Sequence, residues 1–294
     1  MAKLKVVVFG GAGFLGSYVV NELERRGHKV IVADIQQSSF IKSSKFIECD
    51  IRNSSVIKEI MPNNIDIVYN FAGFANLEKA ADSPLETINL NIVGNLNILE
   101  NARIKGCKHF VFASSAYAMS DKGSFYGISK LTSEKIVEEY KKKYNLNYTI
   151  IRYGSVYSER DFENNYIYNL IKTAQETNEI IHNGDGKEVR EYIHAADAAV
   201  LSVDIIESEK FQNQQIILTG IEKMKRVELF EMINEIMGNS LTIKLDNSQG
   251  NNHYKITPYS IQASMSKKLI SNPFIDMGQG ILECIKSINN EQDG

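Results

Sequence analysis

Between Phe110 and Lys130 the chain reads FVFASSAYAMSDKGSFYGISK, in which Ser114, Ser115, Tyr126 and Lys130 are spaced to move a proton together. Phe110-Val111-Phe112 is an apolar, β-rich run that reads as a buried strand, and Ser114 and Ser115 follow at its end. Eleven residues beyond Ser115 stands Tyr126, with Lys130 four further on, in a segment (Gly127 to Tyr144) that reads as helix. Positions i and i+4 of a helix share a face, so the ammonium sits in the field of the phenol. A free tyrosine titrates near ~10, and an adjacent cation lowers this by favouring the phenolate. A serine hydroxyl near the same substrate oxygen completes a proton-transfer site. The same spacing also suits a surface Tyr and Lys on an amphipathic helix, so the surrounding elements must decide.

The element that opens the chain points to a nucleotide. Lys5 to Phe9 is a β-rich run that ends in Gly10-Gly11-Ala12-Gly13-Phe14-Leu15-Gly16. Leu15, Val19 and Leu23 recur at helical spacing, Gly27 reads as a C-cap, and a second strand, Val30 to Ala33, runs into Asp34. Strand, glycine turn, helix, strand and acid, in that order, is the context that makes a glycine motif specific for dinucleotides. Gly10 permits the tight turn, Gly13 lets backbone approach a pyrophosphate, and Gly16 lets the helix pack on the strand. The helix amino end then offers N–H groups and positive dipole to the phosphates. Asp34 lies 18 residues past the last glycine, near the place of a carboxylate that binds a ribose 2′-hydroxyl. A 2′-phosphate would be repelled there, and Gln36, Gln37 and Ser38 offer no compensating Arg, so NAD(H) is favoured over NADP(H). The plainer alternative is a glycine turn without ligand and a surface Asp.

Alternation continues through strands ending near Asp50, Asn70, Phe112 and Tyr153, with helical patterns at 54–61, 85–105 and 127–144 between them. This predicts an α/β fold, a Rossmann-type doubly wound parallel sheet. Right-handed crossovers place the ligand crevice at the carboxyl ends of the strands. Gly10–Gly16, Asp34, Asp50, Phe71–Gly73, Ser114, Ser115 and Tyr126 all fall at such ends or in the turns after them. From Ser155 the alternation loosens. The expected division is an NAD-binding domain in residues 1–154 and a smaller C-terminal α/β substrate lobe in 155–294, with segments returning to the main sheet. The stretch from Asp246 to His253 is polar and reads as mobile.

Composition narrows the function classes. The 33 basic and 36 acidic residues give a formal net charge of −3, with no basic stripe for nucleic acid and no polybasic helix for a membrane surface. Three scattered cysteines (Cys49, Cys107, Cys284) point to a reducing, cytoplasmic compartment rather than a disulfide framework. The five histidines are dispersed, and no metal site is expected. The apolar run Val6–Phe9 is too short for a signal sequence or a membrane span.

Taken together, GGAGFLG (Gly10–Gly16), Asp34, Asp50-Ile51, NFAG (Asn70–Gly73), NIVGNLNILE (Asn91–Glu100), ASSA (Ala113–Ala116), YGISK (Tyr126–Lys130), RYGSVY (Arg152–Tyr157) and GDGKEVREYIHAADAA (Gly184–Ala199) resemble the extended short-chain dehydrogenase/reductase superfamily, in its nucleotide-sugar epimerase/dehydratase branch. The resemblance covers nearly the whole chain. It implies that Phe14 and Leu15 line the cofactor phosphates and that Asp50 and Ile51 hold the adenine. It places Phe71, Ala72, Gly73 and Asn91 along the ribose and nicotinamide, with Ser114 and Tyr153 also at the cofactor. Ser115 would bond the sugar hydroxyl being oxidised, Tyr126 would act as base, and Lys130 would bind the nicotinamide ribose. Arg190 would meet the substrate diphosphate, with Ser155 also on the substrate. A structural Arg190 paired with Asp185 or Asp197 is the alternative, and capping and packing explain His194 and Asp197 as well as chemistry does. The resemblance also implies a homodimer through the helices Asn91–Arg103 and Gly127–Tyr144, with Ile92, Leu96, Leu99 and Ile136 at the contact.

The chemistries of that family differ in what stands beside the Ser and Tyr. The 4,6-dehydratases carry an acidic pair just after the Ser, and the decarboxylases a Glu; here Ala116 and Tyr117 occupy the positions. The epimerase-reductases need a Cys there, whereas Cys107 lies upstream, at a strand's start. What remains suffices for hydride transfer at a sugar carbinol, usually C4. Three outcomes stay open: 4-epimerisation, net oxidation or keto-sugar reduction, and a cofactor-binding sensor that catalyses nothing. The chain departs from the family pattern at Ala118-Met119-Ser120, at Ala75, at Ser155, and in a shortened loop before Tyr126.

Overall fold

The computed structural model describes residues 3–221, 223–246, 267–272 and 274–292. Strand β1 (Lys5–Phe9) turns through the glycines into α1 (Phe14–Arg25), followed by β2 (Lys29–Asp34), β3 (Lys45–Glu48), α2 (Ser54–Ile60) and β4 (Ile67–Asn70). A short α3 (Leu77–Asp82) precedes a long helix in three parts: α4 (Pro84–Ile88), a π-helical stretch (Asn89–Gly94) and α5 (Asn95–Ile104). Then come β5 (His109–Ser115), α6 (Ser124–Tyr144) and β6 (Asn147–Tyr153). The rest comprises β7 (Ser155–Tyr157), α7 (Tyr166–Thr177), β8 (Glu179–Asn183), β9 (Val189–His194), α8 (Ala195–Ile206), β10 (Gln214–Leu218), β11 (Lys223–Lys225), α9 (Arg226–Ile236), β12 (Thr242–Asp246), β13 (Lys267–Leu269) and α10 (Met277–Gln292).

Eight strands form one parallel sheet in the order β13-β10-β6-β5-β4-β1-β2-β3. Its central strands are apolar almost throughout, as strands covered on both faces must be. Val6 and Val8 of β1 face a core shared with α1 and α8, and Val7 and Phe9 face one shared with α2, α5 and α6. The strand order reverses between β1 and β4, so a crevice opens at their carboxyl ends. This is the doubly wound α/β architecture that the alternation implies. β10 and β13 lie in the large sheet, while β11-β9-β7 and β12-β8 form two small sheets. A third core, with Tyr168, Phe230 and Ile281, joins α7, α9 and α10.

Several boundaries differ from the sequence expectation. Helix α6 begins at Ser124, so Tyr126 is itself helical. The helix expected over 85–105 contains the π-helical stretch, which no pattern of apolar residues announces. Three-residue strands such as β11 exist only through their pairing partners. Helix α10 was readable from Met277, Ile281, Cys284 and Ile288, all buried at helical spacing. Leu99 is wholly buried in its own chain's core and presents nothing to a partner. Of the polar stretch Asp246–His253, the residues after Asp246 lie outside the described residues.

Candidate active site

The glycine turn is shaped as its residues require. Gly10 has φ +73°, and a Cβ there would meet Ala72 N at 2.4 Å. A Cβ on Gly16 would meet Gly10 O at 2.1 Å, so helix and turn touch only because it has none. No side chain caps the amino end of α1, and its first turn carries no acid, which leaves that positive end to an anion. At the end of β2, Asp34 Oδ2 accepts the N–H of Ala12 at 2.9 Å and Oδ1 that of Ile35 at 2.8 Å. Burial raises its carboxyl above the ordinary value, against the backbone N–H groups.

A cavity of about 470 Å³ begins at these groups and runs along the crevice to the Ser115 turn. Gly10, Gly13, Phe14, Leu15, Gly16 and Asp34 line one end; Asp50 and Ile51 lie beside it. Phe71, Ala72 and Gly73 form its floor, and Ser114, Ser115, Tyr126, Lys130 and Tyr153 its far end. The set fits a dinucleotide: a ribose acceptor, an uncapped helix for the pyrophosphate, and a cation at the reactive end. Three side chains are committed elsewhere. The Asp50 carboxylate is taken by Arg52, also in the wall, whose Nε donates at 2.9 Å and Nη2 at 2.5 Å. The Tyr153 hydroxyl turns into the core onto Ser202 Oγ at 2.7 Å, so only its ring bounds the cavity. Asn91 reaches the site indirectly: its Oδ1 accepts from Phe74 N at 2.6 Å and its Nδ2 donates to Ser129 Oγ at 2.9 Å. It thereby fixes the turn after β4 against α6, and the π-helical stretch is what turns it there.

Tyr126 lies in the first turn of α6, where the helix dipole adds to any force favouring a phenolate. The buried Lys130 donates from Nζ to Ala113 O at 2.9 Å, and its Nζ lies 5.9 Å from the centre of the Tyr126 ring. Burial lowers its ammonium to about 8, and the Glu134 carboxylate works in the opposite direction. Glu134, one more turn along the helix, is fully buried. It accepts from Ser114 Oγ at 2.5 Å and forms a two-point ion pair with Arg152, with contacts of 2.9 and 2.6 Å. Sequence reading passed over Glu134, although 126, 130 and 134 extend the same i+4 series. Ser115 Oγ accepts weakly from Tyr117 N at 3.3 Å and faces the cavity.

A second cavity of about 210 Å³ shares Ser115, Tyr126 and Tyr153 with the first and continues to Ser155, Arg190 and Arg226. Arg190 is buried on β9 and donates from Nη1 to Val189 O at 2.9 Å. Arg226 was not anticipated; the pairing of β9 with β11 brings it beside Arg190. His194 instead caps α8, its Nδ1 accepting from Ala196 N at 3.3 Å. Asp197 accepts the N–H of Ile275 at 2.7 Å. The fold does gather Glu159, His194 and Glu283, which the dispersed histidines did not foretell. With Nδ1 accepting, His194 Nε2 carries the proton and points a donor, not a lone pair, at Glu159 (3.3 Å) and Glu283 (3.8 Å). That tautomer suits the two carboxylates and not a metal. Cys107 is buried just before β5, its thiol pushed up to about 12 by desolvation, and it lines neither cavity. Among the described residues, no helix is long and apolar enough to cross a membrane.

Comparison with known proteins bears on family and fold. The chain is 28% identical over 228 residues to the UDP-glucose 4-epimerase of Lactobacillus helveticus, covering 66% of this chain and 69% of that one. It is 28% identical over 258 residues to a UDP-N-acetyl-alpha-D-glucosaminuronate decarboxylase of Bacillus cytotoxicus, covering 77% and 78%. In fold it matches the UDP-glucose 4-epimerase of Thermotoga maritima, solved with UDP-glucose, with a TM-score of 0.83 at 23% identity over 98% of this chain and 99% of that one. Residues 6–220 match the model of the NAD dependent epimerase/dehydratase family, and the chain belongs to that family.

Proposed function

We propose that the protein is an NAD-dependent epimerase acting at C4 of a nucleotide-activated sugar. The observation that carries this reading is the meeting of two cavities at Ser115 and Tyr126, one running to the glycine turn and Asp34, the other to Arg190. When bound, NAD⁺ supplies the hydride acceptor. Tyr126 takes the proton of the C4 hydroxyl, Ser115 orients that oxygen, and Lys130 favours the phenolate while binding the nicotinamide ribose. Gly10, Gly13, Phe14, Leu15, Gly16 and Asp34 hold the phosphates and adenine ribose, with Asp50, Ile51, Phe71, Ala72 and Gly73 along the rest and Asn91 bracing the turn after β4. Residues 155–294 form the greater part of the substrate lobe, on this reading, with Ser155 and Arg190 on the substrate. Ala116 and Tyr117, next to Ser115, cannot carry the protons of a C5–C6 elimination, which leaves hydride return as the simplest outcome.

The test is a panel of UDP-, GDP- and dTDP-sugars given to the purified protein. A C4 epimer without net NADH is expected. A keto-sugar with stoichiometric NADH would make it a dehydrogenase, and inertness despite bound cofactor would make it a binding protein. Tyr126→Phe should lower kcat by about 10²–10⁴ with cofactor content unchanged. Near-normal turnover in that variant would remove Tyr126 as the base.

A further inference from the structure

Arg226 is the first residue of α9 and lines the second cavity facing Ser115 and Tyr126. Its guanidinium carbon lies 3.9 Å from the centre of the Tyr166 ring, so the group is held flat by stacking. Its Nη1 is buried with no hydrogen-bond partner among the described residues. A buried donor left unmade is costly, and a cation at a helix amino end opposes the helix dipole. An oxyanion in the cavity would relieve both. Two cations, Arg190 and Arg226, lie on this wall, and none of the described residues lining the cavity is acidic. Glu188, the carboxylate nearby, is buried against His182 at 3.3 Å and does not line it.

We propose that Arg226 binds the substrate diphosphate together with Arg190, two guanidiniums matching the two charges of a nucleoside diphosphate ester. The proposal rests on the nucleotide-sugar reading of the site and assigns its second charged ligand to α9. With both cations used by the diphosphate, no other described residue lining the cavity carries a positive charge, so the sugar expected beyond it is a neutral one. A carboxylate on the sugar offers the same oxyanion chemistry, and the two sources separate by experiment.

Binding of UDP, GDP and dTDP, each against its monophosphate, is measured by calorimetry on the NAD-loaded protein, with UDP-glucose and UDP-glucuronate alongside. At least one diphosphate is expected to bind more tightly than its monophosphate. Arg226→Leu should weaken that diphosphate about ten- to a hundredfold and leave the monophosphate within about twofold. Arg226→Lys should recover part of the loss, which guards against a folding defect, as does unchanged NAD content. Unchanged diphosphate affinity in Arg226→Leu overturns the proposal while leaving the epimerase reading intact. Loss confined to UDP-glucuronate overturns it in favour of an acidic sugar. A wild-type protein that binds no diphosphate overturns both. Lost diphosphate binding in the variant of a protein that epimerises nothing keeps the clamp and removes the catalytic reading.

Discussion

Lys130 holds its charge in a place that disfavours it, and the residues behind it decide how well. Burial brings its ammonium down to about 8, and the Glu134 carboxylate one turn away opposes that fall. Glu134 is in turn held by Arg152, so the ion pair supports the cation that supports Tyr126. The sign follows directly. Removing the carboxylate lets the Lys130 value drop further below 8, so the ammonium is lost at lower pH and the basic limb of the rate profile moves acidward. A displacement of one unit from about 8 would roughly halve the charged fraction near neutral pH and cut it about tenfold above pH 9, so Glu134→Gln is expected to lower kcat about twofold near pH 7 and about tenfold on the alkaline side. The single variant leaves Arg152 buried without a counter-charge, which is costly to the fold. Glu134→Gln combined with Arg152→Met should regain stability without restoring the limb. A basic limb that stays in place in both variants, with cofactor retained, would show that Glu134 serves the fold alone.

The segment between β7 and α7 reaches the nucleotide half, packs beside the glycine turn and contributes Asn164 to the first cavity. The ring of Phe162 lies 5.7 Å from that of Phe14, beside the glycine turn, and 5.4 Å from that of Phe40 in the loop after β2. Arg160 stacks on Tyr18 at 3.6 Å and on Phe40 at 4.5 Å and donates to Ser17 Oγ at 2.9 Å. Lys79 of α3 pairs with Glu163, and buried Asn165 ties the base of the segment through Ser158 and Arg160. An epimerase must return the hydride from the cofactor that took it, whereas a dehydrogenase must exchange cofactor every turnover. A fastened segment suits the first. Phe162→Ala, losing two aromatic pairs, should speed NADH release roughly tenfold or more, read by stopped-flow fluorescence. An unchanged release rate would mean that the segment does not retain the cofactor. None of this strap was legible in the sequence. The sheet was, because each buried strand is an unbroken apolar run and each turn at its end carries glycine, acid or serine. Tyr126 and Lys130 were legible as a pair because they lie four apart on one helix, and both line the cavity. Phe162, Arg226 and Arg152 take their meaning from partners 18 to 148 residues away, and local spacing carries no trace of such contacts.

At the scale of the molecule, α6 has two faces with different duties. Tyr126, Lys130 and Glu134 look inward, while Phe125, Ile128 and Leu131 of the same helix are 39, 58 and 41% exposed. Leu85, Val93 and Leu96, on the long helix packed beside it, are 80, 43 and 37% exposed. Two such helices meeting their copies across a twofold axis would form a four-helix contact whose apolar centre is self-complementary. Each copy must cover roughly 800 Å² for a stable pair, an area two helices of this length can supply. The partner in this arrangement meets Leu96 and Leu131, not Leu99, which its own core consumes. Sedimentation velocity is expected to give a dimer. Replacing Ile128 and Leu131 together by Asp should give a folded monomer, since both lie on the outer face and touch no core. Because the helix carrying Tyr126 would lose its outer support, kcat in that monomer should fall severalfold while NAD content holds. A wild-type protein that sediments as a monomer at every concentration would refute the dimer. A double variant that still dimerises would place the interface elsewhere.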